Sequence, residues 1–332
     1  FEDKMAGAMQ RVTASGVTRF FEDKMAGAMQ RVTASGVLEQ SEGAEVVWLK
    51  ELGIKEPCIL RKRDGTTLYH TRDLAAVFYR EATFHPTRIL YVVGAEQKLH
   101  FDQLKGVLTK MKEPVAAAVE HVPFGLVLSK TEDGKWEKFA SRSGNTVFLD
   151  EILDESVAKV RSIIREKNPD LPNADEVAEQ IGVSAIVFND LKNSRIKDVK
   201  FDWEAMLNFD GETGPYVQFA CARLSSILRK AEMPVPNVDA IDCDVLADAE
   251  RVLLTMMDFG TAVQRAAEQS EPSHVTGHAI ALAGEIHSYL RDHYVVGQEP
   301  KIRDARLVLV DAARRLLTTG LGLLGIPAPE RM

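Results

Sequence analysis

The amino-acid sequence predicts a chain of two parts, an α/β segment followed by an all-helical bundle. As far as about residue 128, short β-branched runs alternate with apolar residues at helical spacing, and after Asp150 helical spacing continues almost alone. The length of 332 residues allows about two domains. We therefore divide the chain into a duplicated segment at 1–37, an α/β segment at 38–149 and a helical segment at 150–332.

The composition indicates a soluble globular protein. Hydrophobic residues make up 45% and charged residues 27% of the chain, and the longest apolar run, Ile89 to Ala95, is far shorter than the ~18 residues of a membrane span. A net charge of −8 argues against indiscriminate coating of nucleic acid but leaves room for a local basic groove. Three cysteines without C-x-x-C spacing, and no secretory leader, favour a reducing, cytoplasmic compartment without a membrane partner.

The first residues contain an exact duplication. Phe1–Val17 recurs identically as Phe21–Val37. Natural repeats stack in at least three copies that have diverged, so we interpret the pair as a recent duplication or an artefact of sequence assembly. Met5, Met9 and Val12 have helical spacing, which predicts one amphipathic helix per copy, with only the second copy continuing into the fold.

The α/β segment contains three predicted strands and two predicted helices. Asp64-Gly65 indicates a tight turn, and Thr71 is the expected N-cap of the first helix. Alternation of strands with helices favours a parallel, partly doubly wound sheet. The predicted strands lie at 46–49, 58–60 and 89–93, and the helices carry the apolar positions 74–78 and 104–111.

The helical segment begins with two apolar stripes, at 152–164 and 177–188, and ends in four further predicted helices. A proline-rich linker, Met233–Pro236, separates the first of these four from the others. Such a bundle serves packing or binding. The four helices are expected at Pro215–Lys230, Val245–Gln269, His274–Tyr294 and Ile302–Leu324.

Two groups of polar residues in the α/β segment have a spacing that suits ligand binding. Tyr69 and Asp73 are four residues apart where a strand gives way to a helix, so they can share one helix face. The Asp73 carboxylate could instead have only a structural role, a favourable interaction with the helix dipole in the first turn. The run Gly94–Gln97 directly follows a strand, and open α/β sheets bind ligands at the carboxyl ends of strands. His100 follows, and a lone histidine there could equally cap the next helix.

Two further patterns carry weaker signals. The loop Lys138–Asn145 combines cations, hydroxyls and a glycine, which suits phosphate but also a solvated loop tip. His274 and His278 have i,i+4 spacing without an acidic or cysteine partner, so we expect no metal site there. The usual hydrolase, P-loop and dinucleotide motifs do not occur.

Five segments together resemble the arginyl-tRNA synthetase family and follow that family's order from about Val37 to Met332. They are YHTRDLAAVFYR, YVVGAEQKLHFDQL, FASRSGNTVFLDEIL, FDWEAMLNFDGETGPYVQFACARL and LLGIPAPERM. The resemblance implies an incomplete Rossmann-type catalytic core of class I followed by a helical anticodon-binding domain. The activity that it implies converts ATP, L-arginine and tRNA(Arg) to arginyl-tRNA, AMP and diphosphate, with Mg²⁺ accompanying ATP and no prosthetic group.

The resemblance also assigns roles to residues of the catalytic core. Tyr69, Asp73 and Gln97 match the positions that hold the substrate arginine. A carboxylate suits a guanidinium, whose planar fork it accepts in a geometry that lysine cannot imitate. The positions that match the ATP site are Gly94, Glu96, His100, Ser143 and Gly144.

The loop that stands in place of the family's KMSKS signature departs from that pattern. The usual lysines are absent, which leaves Arg142, beside Ser141, as the catalytic candidate that stabilises charge on the transferring phosphate. No general acid or base is required, because the attacking carboxylate of arginine is already ionised.

The resemblance places tRNA binding in the helical segment, on Tyr216, Phe219, Arg223 and Met332. Tyr216 and Phe219 offer ring faces on which unstacked bases can rest. They could instead be core aromatics, because Val217 and Leu224 belong to an apolar stripe on the same helix. We expect a monomer.

The family's first signature, the HIGH-type motif, is nowhere in the sequence. The chain therefore resembles the carboxyl-terminal portion of a synthetase, and we expect it to show no adenylation by itself. A non-catalytic tRNA-binding module is the alternative, and an upstream in-frame HIGH-type motif would argue against it. Another class I synthetase of the same subgroup is disfavoured by the segments GETGPYVQ and GIPAPERM.

Overall fold

The computed structural model describes residues 17–130, 133–138 and 148–332. The first copy of the repeat up to residue 16, and the loop with Ser141, Arg142, Ser143 and Gly144, lie outside the described residues. The chain divides into two compact units, Phe1–Phe124 and Gly125–Met332. We describe each unit by itself.

The first unit is an α/β fold in which strands and helices alternate. Helices α1, α2 and α3 span Val17–Ala34, Tyr69–Phe84 and Lys98–Lys110. Strands β1 to β5 span Glu39–Ser41, Ala44–Val47, Cys58–Arg61, Ile89–Gly94 and Val119–Phe124.

The sheet of the first unit is only partly parallel, which corrects the expectation from the sequence. Strands β4 and β5 pair in parallel, from Ile89 opposite Val119 to Gly94 opposite Phe124, with α3 as the crossover. Strands β1, β2 and β3 form a separate antiparallel sheet. Its first turn is made by Glu42 and Gly43, both at positive φ, as a two-residue hairpin of type I′ requires.

The second copy of the repeat belongs to the core of the first unit. Its helix α1 buries Met25, Met29 and Val32 in the same cluster as residues from β2, β3, α2 and α3. At its carboxyl end Arg31 forms an ion pair with Glu113, with 2.5 Å between Nη2 and Oε2. The predicted amphipathic helix is therefore present in the second copy, where it contributes to the core.

Helix α2 begins earlier than the sequence suggested, so the expectation that Thr71 is its N-cap was wrong. The helix starts at Tyr69, and Leu68 precedes it in an extended conformation. Thr71 lies inside the helix, fully buried, and its hydroxyl donates to the carbonyl of Leu60 at 2.6 Å. Asp73 consequently lies beyond the first turn and does not serve the helix dipole there.

The second unit combines a small sheet with a helical bundle. Strands β6, β7 and β8 span Val127–Lys130, Trp136–Lys138 and Val199–Lys200, in the order β7-β6-β8. Helices α4 to α7 span Leu149–Lys167, Ala174–Leu191, Trp203–Met206 and Gly214–Lys230. Helices α8 to α11 span Glu250–Met257, Phe259–Gln269, Ser273–Asp292 and Pro300–Leu323.

The long helix predicted at Val245–Gln269 is divided in the structure. A 3₁₀ segment covers Cys243–Ala249, and Asp258 separates α8 from α9. The other predicted helices of the bundle agree with α7, α10 and α11 to within two residues at each end. Among the described residues, no helix has both the length and the apolar character needed to cross a bilayer.

The helices of the second unit approach each other closely at two glycines. A Cβ added to Gly182 would lie 2.8 Å from both the Cα and the N of Val157, so α4 and α5 touch through their backbones. A Cβ added to Gly214 would lie 2.9 Å from Cβ of Phe188. Phe188 is fully buried in the main core of the second unit, the apolar cluster that it forms with residues of α7, α10 and α11. These contacts fix α4, α5 and α7 against one another.

Candidate functional site

The predicted arginine and ATP residues of the first unit lie on four elements. Tyr69 and Asp73 are on α2, Gly94 ends β4, and a 3₁₀ turn at Ala95–Gln97 leads into α3, which carries His100. Because β4 and β5 run in parallel, their carboxyl ends share one edge, the usual ligand-binding edge of such a sheet.

The structure joins Asp73 to His100 across 27 positions of sequence. Nε2 of His100 lies 2.5 Å from Oδ2 of Asp73. The two side chains are 28% (Asp73) and 20% (His100) exposed, so the pair is half-buried and reachable from solvent. A carboxylate only accepts hydrogen bonds, so the proton of this bond is on Nε2 of His100.

A second histidine lies against this pair. The rings of His70 and His100 pack against each other at an interplanar angle of 30°, with their centroids 4.2 Å apart. Burial, together with the neighbouring His100, lowers the pKa of His70 from 6.5 to about 4, although the nearby Asp73 carboxylate acts in the opposite direction. At neutral pH His70 is therefore uncharged and presents an aromatic face to His100.

Acid should destabilise the first unit through His70. Its folded-state pKa of about 4 lies below the ordinary 6.5, so its contribution is fully present above pH 6.5 and is lost as the pH falls towards 4. The free energy of unfolding should fall by roughly 1.4 kcal/mol per pH unit in that window, about 2 kcal/mol between pH 7 and pH 5. Urea unfolding at the two pH values measures the difference.

The control is His70→Gln, in which the pH dependence should become shallower. Trp48 is the only tryptophan of residues 1–124, so its fluorescence follows the first unit when Trp136 and Trp203 are replaced by Phe in both proteins. Equal loss of stability in the two proteins would show that another group causes the effect.

Tyr69 and Gln97 are both open to solvent. The Tyr69 side chain is 71% exposed, and the Arg72 guanidinium lies 5.3 Å from the centre of its ring. Gln97 is exposed at the end of the 3₁₀ turn. Both side chains are thus accessible: Tyr69 lies one helical turn before the half-buried Asp73 on α2, and Gln97 lies just before α3.

Gly94 is buried at the end of β4, and the Glu96 carboxylate folds back over it. A Cβ on Gly94 would lie 2.6 Å from Oε2 of Glu96. The φ of Gly94 is −51°, so the backbone would accept other residues, and only the space is critical. The absence of a side chain at Gly94 therefore makes room for the Glu96 carboxylate at the end of the strand.

Tyr91 and Arg80 complete the surroundings of Asp73. The Arg80 guanidinium donates to the Tyr91 hydroxyl at 2.9 Å. Burial raises the pKa of Tyr91 to about 12, an effect that the nearby Asp73 reinforces and Arg80 opposes. The phenol therefore keeps its proton at neutral pH.

The second unit contains a cavity of about 660 Å³. Phe219, Arg223 and Met332 line it, whereas Tyr216 is not among its lining residues. Tyr216 packs against the main core, and Phe219 is 44% exposed. Of the two aromatics singled out in the sequence, Phe219 is thus the one that faces the cavity.

One face of α7 lines this cavity and the opposite face builds the core. Phe219, Arg223 and Ser226 belong to the cavity wall. The buried core residues of the same helix are Val217, Ala220, Cys221 and Leu224. The apolar stripe and the cavity wall therefore belong to the same helix but to different sides of it.

The arginines of α7 are engaged by backbone oxygens. Arg223 donates through Nη2 to the carbonyl of Leu290 at 3.0 Å, and Arg229 donates to the carbonyl of Glu330, also at 3.0 Å. The Asn168 amide donates to the carbonyl of Met332 at 3.1 Å. These bonds fix α10 and the last residues of the chain around the cavity.

The two histidines with i,i+4 spacing each have a partner within the protein. Nε2 of His274 lies 2.8 Å from the Gln269 side-chain oxygen, and Nε2 of His278 lies 2.7 Å from the Thr255 carbonyl. Within the described ranges, no three metal-ligating side chains come together. These two imidazoles therefore act as hydrogen-bonding groups.

The geometry can be compared with known proteins. Residues 7–203 match the family described as tRNA synthetases class I (R), catalytic domain. The chain belongs to the class I arginyl-tRNA synthetase family. Residues 217–332 match the DALR anticodon binding domain, which comprises α7 to α11 and the cavity wall on α7.

Individual members of the arginyl-tRNA synthetase family support this assignment. The arginine--tRNA ligase of Alkaliphilus metalliredigens is 41% identical over 297 residues, 89% of this chain and 51% of that protein. That of an Exiguobacterium species is 44% identical over 295 residues. The arginyl-tRNA synthetase of Thermus thermophilus superposes with a TM-score of 0.83 at 27% identity, over 94% of this chain and 59% of that one. The chain spans about half the length of the curated relatives that it matches.

Several residues of this arginyl-tRNA synthetase chain were missed by sequence reasoning. Tyr294, which is 70% exposed, lines the cavity, and so do Asn168 and Leu171 from the loop between α4 and α5. His70 was not singled out, nor was the bond between His100 and Asp73. Sequence spacing could not reveal the cavity wall or the bond between His100 and Asp73, because both are formed by elements that are distant in sequence.

Proposed function

We propose that the protein that contains this chain is an arginine--tRNA ligase, which converts ATP, L-arginine and tRNA(Arg) to arginyl-tRNA, AMP and diphosphate. The observation that carries the proposal is the half-buried Asp73 carboxylate on α2, which pairs with His100 of α3 and lies one helical turn after the exposed Tyr69. Membership of the family supports the same reaction.

The arginine site follows from the chemistry of these residues. We assign the guanidinium to the Asp73 carboxylate, with the solvent-accessible side chains of Tyr69 and Gln97 as its further proposed contacts. An apolar analogue would leave the carboxylate unpaired, so such a site discriminates strongly without a separate editing step.

For the nucleotide site we propose Gly94 and Glu96, at and just after the end of β4. From the sequence alone we also assign phosphate binding to Ser141, Arg142, Ser143 and Gly144. The ionised carboxylate of arginine attacks the α-phosphorus of ATP, and Arg142 stabilises the charge that develops there. Mg²⁺ would enter with ATP as part of the substrate.

The test is ATP–pyrophosphate exchange with arginine, with and without tRNA, on the full-length gene product. Arginine-dependent exchange is expected. Its absence under both conditions would overturn the proposed activity and favour a non-catalytic tRNA-binding module.

We propose that the cavity of the second unit receives unstacked bases of tRNA(Arg). Phe219 and Tyr294 offer partly exposed ring faces, and Lys230 and Arg331 add positive charge to the same wall. The protein is proposed to act as a monomer in the cytoplasm, and its free Cys58, Cys221 and Cys243 fit a reducing compartment.

Replacing the cavity aromatics should weaken tRNA binding. Each base stacked on an aromatic ring contributes roughly 1–3 kcal/mol, so Phe219→Ala and Tyr294→Ala should each lower the affinity for arginine-accepting tRNA by about 5- to 100-fold. Titration of the chain with this tRNA and with an anticodon-swapped tRNA measures the effect. Affinity should fall as salt is raised, because local lysines and arginines meet phosphate.

The matched control is Met257→Ala, which removes an apolar side chain that is 78% exposed and does not line the cavity. It should leave tRNA affinity unchanged. Equal affinity for both tRNAs, or loss of folding in Phe219→Ala, would show that the ring is a structural element and that this cavity does not bind the anticodon.

A further inference from the structure

His100 was assigned to the ATP site on the basis of sequence, but its contacts point elsewhere. Its Nε2 lies 2.5 Å from Oδ2 of Asp73, its ring packs against the tilted ring of His70, and Phe101 lies edge-on to it with the centroids 5.0 Å apart. The imidazole is only 20% exposed. His100 is thus held on two sides and directed at the carboxylate proposed to bind arginine.

We infer that His100 is a positioning residue of the arginine site, which fixes the Asp73 carboxylate so that one oxygen faces the substrate guanidinium. The inference rests on the proposed function. It changes the role assigned to His100 from binding of the nucleotide to recognition of the amino acid.

The two oxygens of Asp73 have different surroundings. Oδ2 accepts from His100, whereas within the described residues no hydrogen bond reaches Oδ1. A carboxylate held by one oxygen cannot rotate freely about its terminal torsion, which is broad when nothing restrains it. Oδ1 therefore remains available in a fixed direction, and the substrate does not bear the entropic cost of ordering it.

His100 must not cancel the charge that attracts the substrate. A neutral imidazole donates its Nε2 proton and leaves the negative charge on Asp73, whereas an imidazolium would repel the incoming guanidinium. His70, whose ring packs against that of His100, is uncharged at neutral pH and adds no positive charge beside Asp73. Nearby, the Tyr91 phenol also keeps its proton, and its oxygen accepts a hydrogen bond from the Arg80 guanidinium.

Two substitutions at position 100 separate the hydrogen bond from the packing. His100→Leu removes the donor and keeps most of the volume, and His100→Gln retains a donor close to the position of Nε2. In pyrophosphate exchange with the full-length gene product, His100→Leu should raise the KM for arginine about tenfold or more, as expected for a lost hydrogen bond to a charged group. The kcat and the KM for ATP should change little, because the interaction exists before the reaction begins. His100→Gln should restore most of the arginine KM.

His121→Leu is the matched control, since His121 also stacks on Phe101, with the centroids 4.6 Å apart, and lies 3.1 Å from the carbonyl oxygen of Val93 through its Nε2. It should leave the KM for arginine unchanged.

Circular dichroism identifies variants that do not fold. If His100→Leu does not fold, His100→Gln is compared with His100→Asn instead. The shorter asparagine side chain cannot bring its donor as close to Asp73.

The outcomes are distinct. A raised KM for ATP with an unchanged KM for arginine would overturn the inference and restore His100 to the nucleotide site. An unchanged or lowered KM for arginine in His100→Leu would overturn it as well, since the imidazole would then be a bystander or a competitor for Asp73. If Asp73→Asn itself leaves arginine use unchanged, the proposed arginine pocket fails, and this inference fails with it.

Discussion

Replacing Asp73 by asparagine should lower kcat/KM for arginine by orders of magnitude in the full-length enzyme. The substitution keeps the size of the side chain but removes the charge that pairs with the guanidinium. Removal of one partner from a desolvated, hydrogen-bonded charge pair costs roughly 3–5 kcal/mol, or about 10²- to 10³-fold or more. Arginine-dependent pyrophosphate exchange measures the effect, and unchanged kcat/KM would contradict the assignment of Asp73.

The same substitution at Asp102 is the control for this experiment. Asp102 lies on α3 and forms an exposed ion pair with Lys98, with 2.5 Å between Oδ2 and Nζ. Exposed pairs of this kind contribute about 0–1 kcal/mol, so Asp102→Asn should leave arginine use nearly unchanged. A similar loss in both variants would indicate a general effect of the altered charge.

Substitution of Gly182 by alanine should destabilise the second unit by about 2 kcal/mol. The added methyl group would lie 2.8 Å from backbone atoms of Val157, and it would separate α4 from α5. Separation would also stretch the bond from the buried Ser156 hydroxyl to the Gly182 carbonyl, which is 2.8 Å long. Overpacking costs about 1–3 kcal/mol, and the better helix propensity of alanine offsets part of it.

Gly277→Ala gives the opposite expectation and serves as the control. Gly277 lies within α10, and no atom lies within 4 Å of a Cβ added there. Alanine should therefore stabilise the helix by about 0.5–1 kcal/mol. Urea unfolding of both variants measures the two effects, and an equally stable Gly182→Ala protein would show that the helices can separate without cost.

Helices with strong apolar periodicity were predicted well from the sequence, and their ends were predicted from local signals. Pro215 and Lys230 bound the prediction for α7, and the structure begins that helix one residue earlier, at Gly214. The parallel sheet was predicted only in part, because alternation of strands with helices does not reveal which strands pair. The antiparallel β1–β3 sheet depends on the Glu42-Gly43 turn, which was not recognised as a hairpin signal.

Contacts between distant parts of the sequence were also not predicted in the candidate site. Tyr69 and Asp73 could be paired from their spacing, because four residues make one helical turn. The hydrogen-bond partner of Asp73 could not be predicted from spacing, because His100 lies on another helix that follows an intervening strand. The N-cap assigned to Thr71 failed for a similar reason, since the carbonyl of Leu60 on β3 captures the hydroxyl and fixes the residue inside the helix.

The two faces of α7 have a consequence for the redesign of this protein. Its core side, with Val217 and Leu224 fully buried, holds the bundle together, whereas Phe219 and Ser226 on the other side line the cavity and are only partly buried. Substitutions at these two positions can therefore be combined in a library at a lower cost in stability than substitutions on the core side. Such a library would let selection change which bases the cavity accepts while the scaffold stays constant.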